Sequence, residues 1–335
     1  MTNKSIVTDK LSPPIPTDLP NIDTSFFNDV LEGLTANRKH LKSKYFYDLN
    51  GDKLFQDIMN SPSYCPFQCE LEIFKEHSAH MASLIVKPGD SFDLIELGPG
   101  DCRKSQFLLK ALKKIDASFS YVPIDISKHV ISHLEDELPK IVPGIKIQAL
   151  HGEYVDMLEQ ASTRSTRRKV ILFLGANLGN MSMVEAMNFC RRLRSLMNTG
   201  DMVIAGIDLK KDPATILAAY NDQAGVTAAF NLNLLKRINT ELNADFDISQ
   251  FKHFPTYDPE TGSCKSYLIS RKNQTVIIRG DKKIRFAKDE YIYMEISQKY
   301  TPEQIKTIAE SAAFTALHSF YDKKRWFTDV IWNVS

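Results

Sequence analysis

Short apolar runs alternate with longer helical patterns between residues 92 and 209. Five runs are predicted strands: "FDLIELG" (92–98), "FSYVPID" (119–125), "IKIQALHG" (145–152), "KVILFLG" (169–175) and "DMVIAGIDL" (201–209). Between them, "RKSQFLLKALKKI", "SKHVISHLEDEL" and "MVEAMNFCRRLRSLM" carry apolar residues at helical spacing. Nearly continuous apolar strands are typical of a parallel sheet that is buried on both faces. The alternation therefore predicts an α/β fold with a doubly wound, Rossmann-like parallel sheet.

The pattern changes after residue 209. Residues 212–242 read as two helices without a strand between them, and Asp212 and Pro213 fit an N-cap and a first helical position. The alternating runs "SYLISR", "TVIIRG", "KIRFA" and "YIYMEIS" follow and predict an antiparallel sheet. We therefore expect an inserted α+β domain over 210–298. The main domain then comprises 1–209 and 299–335, and a helix at 302–313 with strand-like stretches near 315–320 and 327–334 completes its sheet.

Composition argues against several classes of partner. The 42 basic and 41 acidic side chains give no excess field to attract nucleic acid or anionic lipid. No run of about 18 apolar residues occurs, and the first ~20 residues read as a flexible arm rather than a signal peptide. The five cysteines are scattered without zinc-ligand spacing. We expect a cytoplasmic monomer with reduced thiols and with no metal, nucleic-acid or membrane partner.

A glycine turn, "ELGPGD", follows the first predicted strand. In an open α/β sheet, ligands bind beyond the carboxyl ends of the strands. Gly98 and Gly100 have no Cβ atom, so a ligand can approach the backbone closely. A dinucleotide-binding turn needs a further glycine three residues after Gly100, and that position is Arg103. The turn therefore disfavours an NAD-dependent oxidoreductase.

The same turn is similar to the first motif of the Rossmann-like class I methyltransferases that use S-adenosylmethionine (SAM). SAM carries no phosphate, so the third glycine is not required. Such a site needs an acid at the end of the second strand for the ribose hydroxyls, and Asp125 closes "YVPID". It also needs adenine contacts after the third strand, where Glu153 and Tyr154 lie. Together these positions predict SAM as the cofactor.

Less common sequence stretches indicate one particular family among these methyltransferases. The stretches "KYFYDLNGDKLFQDIMNSPSYCPFQCELEIF", "FLGANLGN" and "YMEISQKYTPEQI", together with residues 208–242, resemble the histidine Nα-methyltransferases of ergothioneine biosynthesis. Those enzymes trimethylate L-histidine to its betaine, hercynine. The resemblance extends over roughly residues 25–335, nearly the whole chain. It implies a free amino acid as substrate, with L-histidine expected.

The resemblance also implies residue roles. The cofactor contacts fall on Gly98, Lys104, Asp125, Glu153 and Tyr154, the substrate contacts on Tyr64, Asn180, Tyr220, Glu295 and Ser297, and Tyr47 lies beside the reacting amine. Asn180 can orient a neutral amine through its carbonyl oxygen. Tyr64 and Tyr220 can donate hydroxyl hydrogens to the carboxylate. Glu295 and Ser297 share one face of a strand and can bind the two imidazole nitrogens.

Two departures from the family pattern bear on the substrate. Ser266 stands where methionine is common, and Ala176-Asn177 replaces a common Ser-Thr pair. Another amino acid such as tryptophan therefore stays open, although Glu295 and Ser297 favour imidazole because indole has no acceptor nitrogen. A non-catalytic SAM- or nucleoside-binding regulator is a further alternative, which the presence of Tyr47 and Asn180 disfavours.

Overall fold

The computed structural model describes residues 24–335, so the predicted N-terminal arm lies outside the described residues. The strands are β1 (Ser91–Leu97), β2 (Ser118–Asp125), β3 (Leu150–His151), β4 (Arg168–Phe173), β5 (Met202–Asp208), β6 (Phe251–Asp258), β7 (Ser263–Ser270), β8 (Gln274–Ile278), β9 (Lys282–Phe286), β10 (Tyr291–Gln298), β11 (Phe314–Tyr321) and β12 (Phe327–Val334). The helices are α1 (Thr24–Thr35), α2 (Leu49–Asn60), α3 (Cys65–Ile85), α4 (Ser105–Lys114), α5 (Lys128–Ile141), α6 (Tyr154–Arg164), α7 (Met183–Ser195), α8 (Pro213–Tyr220), α9 (Val226–Leu242) and α10 (Pro302–Ser311).

The predicted doubly wound sheet is confirmed. Seven strands lie in the order β11-β12-β5-β4-β1-β2-β3, and β1 to β5 run parallel while β12 is antiparallel to both of its neighbours. Consecutive residues such as Leu94 and Ile95 belong to two separate apolar cores, one on each face of the sheet. The chain leaves β1 toward β2 and later returns to β4 on the other side. Ligand sites in such sheets lie at the crevice where this order reverses.

The third predicted strand is shorter than expected. Residues 145–152 were expected to form one strand, but β3 contains only Leu150 and His151. Ile147 makes an isolated bridge to Tyr121, and Gln148 N donates to Tyr121 O at 2.9 Å. The segment therefore runs beside β2 without continuous pairing, as an edge strand needs fewer ladder bonds than a central one.

A second lobe packs on the carboxyl edge of this sheet. It contains the sheet β10-β7-β6, the ribbon β8-β9 and the helices α8 and α9. Strand β6 was not predicted, because Pro255 interrupts its pattern, and proline is tolerated there since β6 is an edge strand. The helices α1 and α2 join this lobe through a shared apolar core that includes Phe26, Phe46, Leu234 and Ile292. The domain division at residues 209 and 298 stays a prediction, and packing adds residues 24–60 to the core of the insert.

Three further features bear on partners. All five cysteines are free thiols, and four of them are buried. Within residues 24–335, no group of three or more histidine, cysteine or acidic side chains is arranged to hold a metal ion. No helix in the described part of the chain is long and apolar enough to cross a membrane.

Candidate active site

A cavity of about 710 Å³ opens at the carboxyl edge of the parallel sheet, and both the sheet and the second lobe contribute to its walls. Its size falls within the usual range for a small-molecule site, roughly 300–1,000 Å³. Ten of the twelve predicted site residues line it: Tyr47, Tyr64, Gly98, Gly100, Lys104, Asp125, Glu153, Tyr154, Asn180 and Glu295. The predicted cofactor half and most of the predicted substrate half therefore share one cavity.

The glycine turn after β1 forms one wall. Gly98 and Gly100 have φ of 71° and 56°, in the left-handed region that disfavours side chains. A Cβ at Gly98 would lie 2.5 Å from Tyr154 Oη and 3.0 Å from Asn177 Nδ2, whereas a Cβ at Gly100 would meet no atom within 4 Å. Gly98 thus lets Tyr154 reach the turn, and the open space at Gly100 gives a ligand access to the backbone.

Asp125 closes β2 at the same edge. Its carboxylate accepts a hydrogen bond from Ser127 N at 2.8 Å, and burial raises the pKa of Asp125 to about 6. The carboxylate is therefore largely ionised at neutral pH and can accept hydrogen bonds from two neighbouring hydroxyls. Ser127 Oγ donates to Asp52 Oδ2 at 2.9 Å, which ties α2 to this end of the sheet.

Glu153 and Tyr154 differ in how freely their side chains can contact a ligand. Glu153 Oε1 already pairs with Lys44 Nζ at 2.8 Å. Tyr154 packs edge-on against Phe173 with ring centroids 5.9 Å apart, and burial raises its pKa, so the hydroxyl stays protonated. Tyr154 therefore offers a fixed aromatic wall, while Glu153 links the second lobe to the sheet.

Lys104 is held by a residue that sequence reasoning missed. Its ammonium pairs with the fully buried Glu70, whose carboxylate also accepts from Gly175 N at 2.8 Å. A Cβ at Gly206 would lie 2.0 Å from Glu70 Oε1, so glycine is needed there. Burial, and then the charge of Glu70, raise the pKa of Asp329 well above its ordinary value, so this buried neighbour stays protonated.

A 3₁₀ turn over Asn177–Asn180 places Asn180 in the cavity. A Cβ at Gly179 would lie only 2.8 Å from Gln298 O, so this glycine allows the turn to pack against the end of β10. The turn and β10 thereby bring Asn180 and Glu295 to the same cavity. Tyr47 faces them from the second lobe, with its ring 5.6 Å from Phe55 and 5.9 Å from Phe230.

Glu295 ends a chain of polar contacts in the second lobe. Its Oε1 accepts from Asn231 Nδ2 at 3.2 Å, and Ser266 lies opposite Glu295 on the neighbouring strand β7, close to this carboxylate. Burial raises the pKa of Glu295, and the polar groups of Asn231 and Ser266 oppose the shift. Ser266 Oγ lies 3.2 Å from His253 Nε2, and burial lowers the pKa of His253 to about 4, so its ring is neutral. Asn231 and His253 were not predicted from the sequence, because each lies in an apolar pattern that reads as core.

Tyr220 and Ser297 are the two predicted site residues that do not line the cavity. Their hydroxyl oxygens lie 2.6 Å apart. The ring of Tyr220 packs edge-on against Tyr64, with centroids 6.1 Å apart, so the pair lies behind the cavity wall. Direct contact of either residue with a substrate stays a prediction.

Sequence comparison identifies similar proteins. A family profile described as "Histidine-specific methyltransferase, SAM-dependent" matches residues 26–334. The histidine N-alpha-methyltransferase of Mycolicibacterium smegmatis is 32% identical over 302 residues, which cover 90% of each chain. The corresponding protein of Mycobacterium tuberculosis is 34% identical, again with 90% of each chain covered. The L-tryptophan methyltransferase of Psilocybe serbica is 26% identical, covering 88% of this chain and 89% of that protein.

Proposed function

Because the chain belongs to the SAM-dependent histidine-specific methyltransferase family, we propose that it methylates the α-amine of free L-histidine, forming the trimethylated betaine hercynine. The observation that carries this proposal is that one cavity joins the glycine turn and Asp125 to Asn180 and Glu295. The cofactor is SAM. The alternative of an NAD-dependent oxidoreductase, which the glycine turn disfavours, is set aside.

The cofactor half of the cavity fits SAM. The open backbone at Gly100 admits a ligand without phosphate, and Asp125 would accept both ribose hydroxyls. Tyr154 would border the adenine, and Lys104 would lie near the cofactor while paired with Glu70. When bound, SAM supplies an electrophilic methyl group on its sulfonium sulfur.

The substrate half acts by positioning. Methyl transfer requires the lone pair of a neutral amine to point at the methyl carbon, within about 3–3.5 Å. Asn180 would accept a hydrogen bond from the amine through its carbonyl oxygen, and Tyr47 would close the cavity beside it. Glu295, held by Asn231 and Ser266, would accept the imidazole N–H. No side chain needs to form a covalent bond to the substrate.

We also propose a pathway and a cellular location for the enzyme. A product of this kind belongs to ergothioneine biosynthesis, and the Ergothioneine biosynthesis protein 1 of Schizosaccharomyces pombe is 26% identical over 85% of this chain and 38% of that protein. Free buried thiols support a reducing, cytoplasmic location. Action as a monomer stays a prediction.

Tryptophan is the second candidate substrate. Its motivation is Ser266, which leaves more room than a methionine would. The surroundings of Ser266 argue for histidine, because its hydroxyl bonds to His253 beside Glu295 and so gives polar support to a carboxylate that would face a polar ring. An indole would offer that carboxylate one N–H and no acceptor nitrogen.

A panel of the twenty amino acids, each incubated with SAM and the protein, tests the proposal. Mass spectrometry should detect up to three added methyl groups on histidine and little product from the others. Preferred methylation of tryptophan would replace the substrate assignment. Binding of SAM without product from any amino acid would favour the non-catalytic alternative.

Replacing Ser266 by alanine should raise the KM for histidine about fivefold and leave the Kd for SAM unchanged. The physical reason is the loss of a polar hydroxyl that favours the charged form of the nearby Glu295 carboxylate, an effect of roughly 1 kcal/mol. Steady-state kinetics and SAM titration would measure both quantities. Ser270→Ala is the matched control, because Ser270 is buried on the same strand and bonds to Lys272 O at 2.8 Å instead. Equal changes in KM for both variants would contradict a role for Ser266 at the site.

A further inference from the structure

A fully buried lysine lies directly behind the substrate half of the cavity. Lys299 is 0% exposed and follows the last residue of β10. Its Nζ lies 2.7 Å from Asp208 Oδ2, 2.7 Å from Tyr220 Oη and 2.8 Å from Ser297 Oγ. Burial alone would lower the pKa of Lys299, but the charge of Asp208 outweighs it and holds the pKa above its ordinary value. The ammonium is therefore charged in a place where charge is costly.

The hydrogen count of this cluster leaves one donor free. An ammonium has three N–H groups, and Lys299 uses them on Asp208, Tyr220 and Ser297. Both hydroxyl oxygens therefore accept from Lys299, and one hydroxyl hydrogen fills the 2.6 Å contact between them. The other hydroxyl hydrogen is not used within the cluster. Burial, and then the charge of Asp208, raise the pKa of Tyr220 well above its ordinary value, so the phenol keeps its proton.

Within the buried cluster itself, positive charges outnumber negative charges. Asp208 is shared by two ammonium groups, Lys299 and Lys211, and both side chains are buried. Two positive charges thus face one negative charge in a region of low dielectric constant, where fields are poorly screened. The Glu295 carboxylate of the cavity wall lies outside this cluster but within reach of the charge of Lys299, and it accepts a hydrogen bond from Asn231. Tyr64 separates the cluster from the cavity and packs against Tyr220.

We propose that Lys299 is a positioning residue that makes the enzyme require a substrate with an α-carboxylate, an inference that rests on the proposed function. The Lys299 ammonium, which is held against Tyr220 and Ser297, attracts the carboxylate to the side of Tyr64 and Tyr220. Lys299 also polarises the free hydroxyl of the Tyr220–Ser297 pair as a donor. An amine without the carboxylate gains nothing from this field. The enzyme therefore selects a free amino acid over the corresponding amine or amide.

Binding and kinetics with three ligands test this inference. Histidine, histidinamide and histamine are compared in the wild type, Lys299→Gln, Lys299→Arg and the matched control Lys211→Gln. Lys211 pairs with the same Asp208 but has no contact with Tyr220 or Ser297 among the described hydrogen bonds. Lys299→Gln should raise the Kd for histidine about 10- to 30-fold, because the carboxylate would lose the attraction of the ammonium behind the Tyr220–Ser297 pair. The same substitution should change the Kd for SAM, for histidinamide and for histamine by no more than about twofold.

Three results would overturn the inference. One is equal kcat/KM for histidine and histidinamide in the wild type, which needs no variant and so holds even if Lys299→Gln does not fold. Another is a preference for histidine that survives in a folded Lys299→Gln, as judged by melting temperature and SAM binding. The third is equal loss of that preference in Lys211→Gln. Lys299→Arg keeps the charge and should keep the preference. A wild type that methylates none of the three ligands would instead count against the proposed function itself.

Discussion

Replacing Glu295 by alanine is expected to raise the Kd for histidine about 100-fold while the Kd for SAM changes less than threefold. The carboxylate facing an imidazole N–H is a charge-assisted hydrogen bond, and its loss costs about 1.5–3 kcal/mol. Asn231 would also lose one of its two acceptors in a buried place, which adds to the cost of folding. Calorimetric titration with each ligand alone would measure both constants.

Glu290→Ala is the control for Glu295→Ala. Glu290 immediately precedes β10 and pairs with Lys39, and it does not line the cavity. Its loss should reduce the melting temperature without changing either Kd. Equal weakening of histidine and SAM binding in Glu295→Ala would point to damaged folding rather than to a lost imidazole contact.

Replacing Asp125 by alanine is expected to have the reverse effect, with the Kd for SAM raised about 100- to 1,000-fold and histidine binding nearly unchanged. Two ribose hydroxyls would lose a charged acceptor, at about 1.5–2 kcal/mol each, the lower part of the range for hydrogen bonds to charged groups. Fluorescence or calorimetric titration of SAM would measure the change. Asp125→Asn keeps the shape of the side chain and one acceptor oxygen, so its Kd for SAM should lie between those of the wild type and Asp125→Ala.

The same residue predicts how SAM binding depends on pH. Burial raises the pKa of Asp125 to about 6 in the free protein. Above this pH the carboxylate is ionised and would accept both ribose hydroxyls, and below it the added proton would remove one acceptor. SAM affinity should therefore fall as the pH drops through about 6, and Asp125→Asn should abolish that dependence. An unchanged pH profile in Asp125→Asn would assign the titration to another group.

The sequence predicts the cofactor half of the site better than the substrate half. Strands β1, β2, β4 and β5 are mostly apolar runs between turns. Each run is long enough to predict a strand from the local sequence alone. The glycine turn and Asp125 then follow from their positions at strand ends. These features are local, since the residues that form them are neighbours along the chain.

The substrate half depends on contacts between distant residues, which periodicity does not reveal. Lys299 stands in the quoted stretch "YMEISQKYTPEQI", but its partner Asp208 lies 91 positions earlier at the end of β5. The pairing of Lys44 with Glu153 joins residues that are 109 positions apart. His253 and Asn231 occupy buried positions in a strand and a helix. The apolar pattern around them predicts core positions and does not indicate a role for a polar side chain. Only the folded arrangement shows that these side chains face one another.

The packing of α2 on α9 has a consequence for the order in which the two halves of the cavity are completed. Asp48, at the N-cap of α2, accepts a hydrogen bond from Asn233 of α9, 185 residues later in the chain. Ribosomes release the five parallel strands before they release α9. The nascent protein thus holds the segment of Tyr47 without its partner helix until translation has passed residue 242, so the Tyr47 wall of the cavity is completed only after the five parallel strands have been synthesised.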